Sequence, residues 1–228
     1  MLLLKNLCAQ NRGFILFMLG MLLVRSAIAD WYTVPSGSMY PTLMIGDRII
    51  ADRVAYDFKL PLTAIVLKHL ADPQRGDIVT FISPVDGNRL VKRLVGLPGD
   101  TIAMRDEVLY VNGVAASYER ASGAVATRLA PDYDGKQVVL DEATADSHRA
   151  ILLMPQRTDV MRSFGPITVP AAHYLMLGDN RDNSADSRYI GVISRAALTG
   201  RVGRVAFSLD PDKLYAPRLS RFGASVTE

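Results

Sequence analysis

The chain has 228 residues, 49% of them hydrophobic and 21% charged. That is enough apolar material for one folded domain, or one domain with an appendage, and it excludes disordered, collagen-like and low-complexity classes. Lys and Arg number 26 against 23 Asp and Glu, a net charge of +3 with no basic run, so a nucleic-acid partner is set aside. A single cysteine, Cys8, leaves no intrachain disulfide and no thiolate metal cluster. His69, His148 and His173 lie far apart and form no HExxH pair, so neither a metal nor a cofactor is expected.

Residues 13–24, GFILFMLGMLLV, carry no charge. At about 1.5 Å per residue, positions 13–29 span roughly 25 Å, just short of the hydrocarbon thickness of a bilayer. Arg25 would snorkel to the interface, and Trp31 with Tyr32 would sit among the headgroups. One transmembrane helix over 13–29 is predicted, after a cytoplasmic segment 1–12 holding Lys5 and Arg12 and before an exported region 30–228. Ala27-Ile28-Ala29 also has the plan of a cleavable secretory signal. The position of Arg25 directly behind the run favours a retained anchor, and slow self-cleavage after Ala29 is expected.

Beyond residue 30, short β-rich runs at 47–54, 76–82, 89–97, 101–104, 107–111 and 174–177 alternate with turns. Gly46-Asp47, Gly76-Asp77 and Gly99-Asp100 each launch a β-branched run, and Asn112-Gly113 is a hairpin signal. The fold class is mainly β. Residues 60–70 form an apolar insertion open to a helical reading, and 193–204 read as a short helix and turn. The stretch 115–162 is weakly patterned and holds Asp132, Asp134, Asp141, Glu142 and Asp146. It reads as an elaboration inserted into a core built from both flanks. The tail beyond Asp210 has no clear pattern. Residues 179–190 open like a calcium loop, but Ser184 stands at the turn glycine and Ile190 at the bidentate carboxylate, so calcium is not expected.

No G-x-S-x-G elbow occurs. The remaining candidate nucleophile is Ser38, bracketed by Pro35 and Pro41 in VPSGSMYPTL. Its candidate base is Lys92 in RLVKRLV, where alternation sends Leu90, Lys92 and Leu94 to one face and Val91, Arg93 and Val95 to the other. Burial would lower that amine from about 10.4 toward 7 to 8, which costs roughly 3 to 5 kcal/mol and leaves a neutral base. Ser-Lys dyads are a known variant of triad chemistry. A lysine on a strand is more often a snorkelling surface residue, and a serine in a Pro/Gly loop a turn former. Composition and spacing leave both readings open.

Four segments decide between them: 35–43 PSGSMYPTL, 76–80 GDIVT, 91–100 VKRLVGLPGD and 178–188 GDNRDNSADSR. In this order, behind an apolar anchor, they resemble the boxes of bacterial type I signal peptidases. Residues 115–165 and the tail carry no such match. The resemblance implies a largely antiparallel β-sheet catalytic core with an inserted β-rich subdomain at about 115–165, preceded by one N-terminal transmembrane helix. It further implies a single-pass protein of the bacterial inner membrane whose catalytic domain faces outward. The implied activity is a serine endopeptidase that removes signal peptides from exported preproteins after small residues at positions −3 and −1. Its partners would be those preproteins and the lipid bilayer, with no cofactor.

By the same resemblance Ser38 is the nucleophile, Lys92 the general base, and Ser36 with the Ser38 N–H the oxyanion hole. Ser184 would orient the lysine amine, while Asp186 and Arg188 would form an ion pair supporting their loop. Val34, Met39, Leu43, Leu90 and Val91 would line shallow apolar pockets, with the substrate extended along strand edges. Lys92 separates the chain from the endoplasmic-reticulum branch, which uses histidine there. Three other functions share these features: a peptidase maturing a single pilin or conjugation substrate, a self-acting repressor-type protease, and an inactive anchored peptide-binding scaffold.

Overall fold

The computed structural model describes residues 11–63, 65–130 and 136–226. Lys5, Cys8 and most of the expected cytoplasmic segment, together with Asp132 and Asp134, lie outside the described residues. Helix α1 (Arg12–Ala27) is built from Leu, Met and Phe, with apolar side chains on every side. Phe14, Leu16 and Phe17 are 66%, 67% and 63% exposed. The helix ends where Ile28 N–H donates to the Val24 carbonyl and the chain turns extended. Its sixteen residues are fewer than the expected 13–29, and among the described residues no helix is long and apolar enough to cross a membrane.

The strands run β1 (Ala29–Thr33), β2 (Asp47–Asp52), β3 (Asp57–Lys59), β4 (Val66–His69), β5 (Ile78–Ile82) and β6 (Arg89–Gly96). An excursion follows: β7 (Thr101–Arg105), β8 (Val108–Val111), β9 (Val114–Ala115), β10 (Ser117–Arg120), β11 (Val138–Thr144), β12 (Ser147–Leu153) and β13 (Phe164–Thr168). The chain returns through β14 (His173–Leu177), the short helix α2 (Ser187–Ile190), β15 (Ile193–Ser194), β16 (Leu198–Asp210) and β17 (Ala216–Pro217).

The main sheet has the order β1-β2-β16-β5-β6-β14-β15, with β17 beside β16, and every strand pairing in it is antiparallel. The excursion makes a three-stranded sheet, β10-β11-β12, and a four-stranded one, β13-β7-β8-β9. The protein is therefore mainly β with few helices. Strand alternation divides the core: Ile78 joins Ile49, Val202 and Val205 on one side, and Val79 with Phe81 joins Leu94, Tyr174 and Met176 on the other. Each such buried side chain contributes about 1.5 to 3 kcal/mol. Asn112 and Gly113, at φ of 52° and 82°, close the β8–β9 hairpin in the left-handed conformation that an Asn-Gly pair tolerates.

Two expectations are corrected. Residues 60–70 are not helical: β3 and β4 form a hairpin in the register Asp57↔His69, because Pro61 interrupts a helix and Ile65-Val66 favours a strand. Residues 193–204 are β15, a single 3₁₀ turn (Arg195–Ala197) and the start of the long strand β16, whose β-branched Thr199, Val202 and Val205 outweigh its glycines. The patternless tail is also ordered, since buried Arg221 pairs with buried Asp47.

Candidate active site

Ser38 sits in a turn closed by Tyr40 N–H on the Gly37 carbonyl, and its side of the chain is tied to β2 where Val34 N–H donates to the Asp47 carbonyl. Pro35 and Pro41 restrict the backbone at either end. Only 7% of Ser38 is exposed. Lys92 lies in the middle of β6, opposite Val79 of β5, on the face shared with Leu90 and Leu94. It is 3% exposed, and its Nζ donates to Ser38 Oγ at 2.7 Å. Burial pushes the amine down to about 8, against the opposing pull of Asp186 and Asp179. Arg93, on the opposite face, is engaged elsewhere, donating from Nε and Nη2 to Asp179 at 2.8 and 2.7 Å.

The loop 178–188 closes the site from behind. Asn180 N–H donates to the Ser38 carbonyl at 3.1 Å, and its Nδ2 donates to the Gly37 carbonyl at 3.0 Å. A Cβ at Gly178 would lie 2.2 Å from Ser184 Oγ and 2.5 Å from the Ser38 carbonyl oxygen, so the two segments touch only because residue 178 has no side chain. Asp186 accepts from Arg188 Nε at 2.8 Å and from Gly178 N–H at 2.9 Å. Arg188 also donates to the Arg181 and Met161 carbonyls. Ser184 Oγ is buried and, among the described residues, has no hydrogen-bond partner; it faces the same cleft as Lys92 without bonding to it.

That cleft, about 450 Å³, is lined by Ser36, Ser38, Leu90, Lys92 and Ser184 on the side expected from the sequence. Arg157, Asp159, Val160 and Tyr189 line it as well, and none of them stood out in the sequence. Val34, Met39 and Leu43 are at most 2% exposed, inside the core cluster with Ile49 and Val205, and Val91 packs against that cluster. Of the five expected pocket residues only Leu90 reaches the cleft. Glu142 was also missed as a site element: buried on β11, it pairs with Arg181 of the loop. An acidic residue in a weakly patterned stretch gives no sign of a partner 39 positions away.

Such a site is equipped for nucleophilic hydrolysis without a metal or histidine: an alcohol and a desolvated amine share a hydrogen bond in an open cleft. The family model described as signal peptidase, peptidase S26, matches residues 9–207. Signal peptidase I of Pseudomonas fluorescens is 34% identical over 232 residues, covering 95% of this chain and 78% of the relative. Signal peptidase I P of Bacillus subtilis subsp. natto is 32% identical over 207 residues, covering 90% of this chain and 92% of the relative. A crystal structure of a signal peptidase I from Enterococcus faecalis, 35% identical, covers 58% of this chain and 97% of that one with a TM-score of 0.35. The sequence matches define a serine endopeptidase. The chain belongs to peptidase S26, the signal peptidase family.

Proposed function

We propose that this protein is a membrane-anchored signal peptidase in which Ser38 and Lys92 form the catalytic dyad. The observation that carries this reading is the 2.7 Å contact between Ser38 Oγ and a lysine pushed down to about 8. Once deprotonated, Lys92 Nζ takes the proton from Ser38 Oγ as that oxygen attacks the scissile carbonyl. The oxyanion is held by the Ser38 N–H and the Ser36 hydroxyl, and the protonated lysine then delivers its proton to the leaving amine. Water enters the vacated side, Lys92 again accepts a proton, and the acyl-enzyme is hydrolysed. Ser184 orients the amine through its unpartnered hydroxyl once the cleft is filled, while Asp186 and Arg188 hold the loop.

The substrate is an exported preprotein cut after small residues at −3 and −1, its backbone extended past Leu90. The N-terminus is cytoplasmic and the catalytic domain lies on the outer side of the inner membrane, which agrees with the exposed apolar surface of α1 and with Lys5 and Arg12 before it. Incubation of the purified protein in detergent with a preprotein tests the proposal: wild type yields mature product, and Ser38→Ala and Lys92→Ala yield none above background. Cleavage that persists in Lys92→Ala overturns the dyad.

A further inference from the structure

Thr42, in the segment that carries Ser38, borders a second cavity of about 110 Å³, none of whose lining residues reaches the cleft. It lies where the main sheet meets the excursion: Arg93 comes from β6, His148 and Arg149 from β12, and Arg128 follows the 3₁₀ turn Val125–Thr127. No carboxylate stands among the described residues that line it. A single water needs about 10 to 15 Å³ of such space, so the cavity has room for a polyatomic ion.

The charges around this cavity do not balance. Arg93 pairs with Asp179 and Arg221 with Asp47, but Arg149 and Arg181 share one carboxylate, that of Glu142. Arg128 is half-buried near Arg221, and its side chain has no ion pair or hydrogen bond among the described residues. Burial first, and then Arg221, push its guanidinium down, as happens where positive charge gathers away from water. Arg149 is 1% exposed; its Nη1 donates to Ser147 Oγ at 3.1 Å and its Nη2 pairs with Glu142. Its Nε is buried with no hydrogen-bond partner among the described residues. A buried charged donor left unpaired is costly, so it points to an acceptor that completes it.

We propose that this cavity binds a small tetrahedral oxyanion of the phosphate class, held between Arg128 and Arg149. Guanidinium N–H groups fork to two oxygens of such an ion, which a monatomic chloride does not offer. A doubly charged ion offsets Arg128 and the guanidinium that Glu142 leaves uncompensated. Arg149 belongs to the excursion and, through Glu142, reaches Arg181 of the loop 178–188, while Arg93 holds Asp179 of the same loop. An ion bound there ties the excursion to the core behind the loop that sets Asn180 against Ser38, and it stabilises the folded chain by mass action.

Isothermal titration of the full chain in nonionic detergent with inorganic phosphate, at an ionic strength held constant with sodium chloride, tests the site. One ion per chain is expected. Arg128→Gln should weaken binding at least about tenfold, and it removes no ionic partner from the fold. Arg120→Gln, at an exposed position on β10 of the same excursion, should leave affinity within about twofold. In thermal melts, phosphate at ten times the wild-type Kd should raise Tm by about 3 to 5 °C, and by only about 1 °C in Arg128→Gln. Absence of binding, or equal weakening in both variants, overturns the proposal, as does a Tm shift that sodium chloride reproduces, which is screening alone. Binding that emerges only after removal of Thr227 and Glu228 means that carboxylates of the chain itself take the place of the ion, and also overturns it.

Discussion

Glu142 and Arg181 meet in a two-pronged ion pair out of reach of solvent, Arg181 Nη1 donating to Oε2 at 2.7 Å and Nη2 to Oε1 at 2.6 Å. Arg149 closes on Oε1 and the Tyr118 hydroxyl donates to Oε2 at 2.8 Å, so one carboxylate of the excursion serves two buried guanidiniums. Arg181 N–H donates to the Leu152 carbonyl and Leu152 N–H to the Asp179 carbonyl, which lays the loop 178–188 along β12. The next residue back, Asn180, grips Gly37 and Ser38. The inserted sheet is thus mechanically continuous with the Ser38 turn.

Glu142→Gln is expected to destabilise the fold by about 3 to 5 kcal/mol, because two buried cations lose their counter-charge. kcat of the remaining folded fraction should fall as well, since the loop behind Ser38 is released. Denaturant melts paired with active-site titration check both. Burial alone would raise the Glu142 carboxyl, but Arg181 and Arg149 outweigh it and hold it at about 2, below its ordinary 4.5. The unfolded chain therefore binds a proton between those values that the native state refuses. Its contribution, about 3 kcal/mol, is full above pH 4.5 and is lost as pH falls toward 2.

Lys92 shifts in the same direction for a different reason, because burial disfavours its charged form. Its amine is pushed down to about 8 from 10.5, so kcat/KM should climb with pH and reach half of its plateau near 8. Below 8 native and unfolded chains are both protonated and the fold carries the full cost of a buried ammonium, about 3 kcal/mol. Between 8 and 10.5 the native amine is already neutral, so stability rises with pH. Lys92→Met should be inactive yet more stable than wild type at pH 7, and thermal melts should show that gap closing by pH 10.5.

Gly178→Ala should abolish most activity. The added methyl meets the Ser38 carbonyl oxygen at 2.5 Å, a backbone atom that cannot swing away, and overpacking of this kind costs about 1 to 3 kcal/mol. Gly165→Ala, with nothing within 4 Å of the new methyl, is the control and should keep wild-type rates. Equal rates for both variants would show that the close approach of the two segments is not needed.

Much of the site was legible because it obeys short-range rules. Period-two alternation put Lys92 on the apolar face of β6 and Arg93 on the other, and Asn112-Gly113 marked its hairpin from two residues. The less legible parts depend on direction or distance. Val34, Met39 and Leu43 neighbour Ser38 in sequence, but the turn sends them into the core instead of the cleft. The pairing of Glu142 with Arg181 joins two segments that only tertiary structure brings together. Residues 60–70 are apolar without a clear period, and the local signs against a helix, Pro61 and the β-branched Ile65-Val66 pair, were outweighed by that apolar character.

The Ala27-Ile28-Ala29 sequence suggested slow self-cleavage, and the structure gives a reason to expect resistance instead. Ala27 is buried at the end of α1, and Ala29 begins β1 in register with Asp52 of β2. Prolonged incubation at high protein concentration should leave the N-terminus intact by mass spectrometry; a fragment starting at Asp30 would contradict this.

Asp30 marks the same junction: it is nearly buried, pairs with Arg25 and Arg53, and accepts from the Tyr32 hydroxyl. A protease that works on chains resembling its own leader needs some way to spare itself. Here the expected safeguard is conformational, since Ala27 is packed at the end of α1 and Ala29 is already paired into a folded seam, which leaves no loose thread to pull.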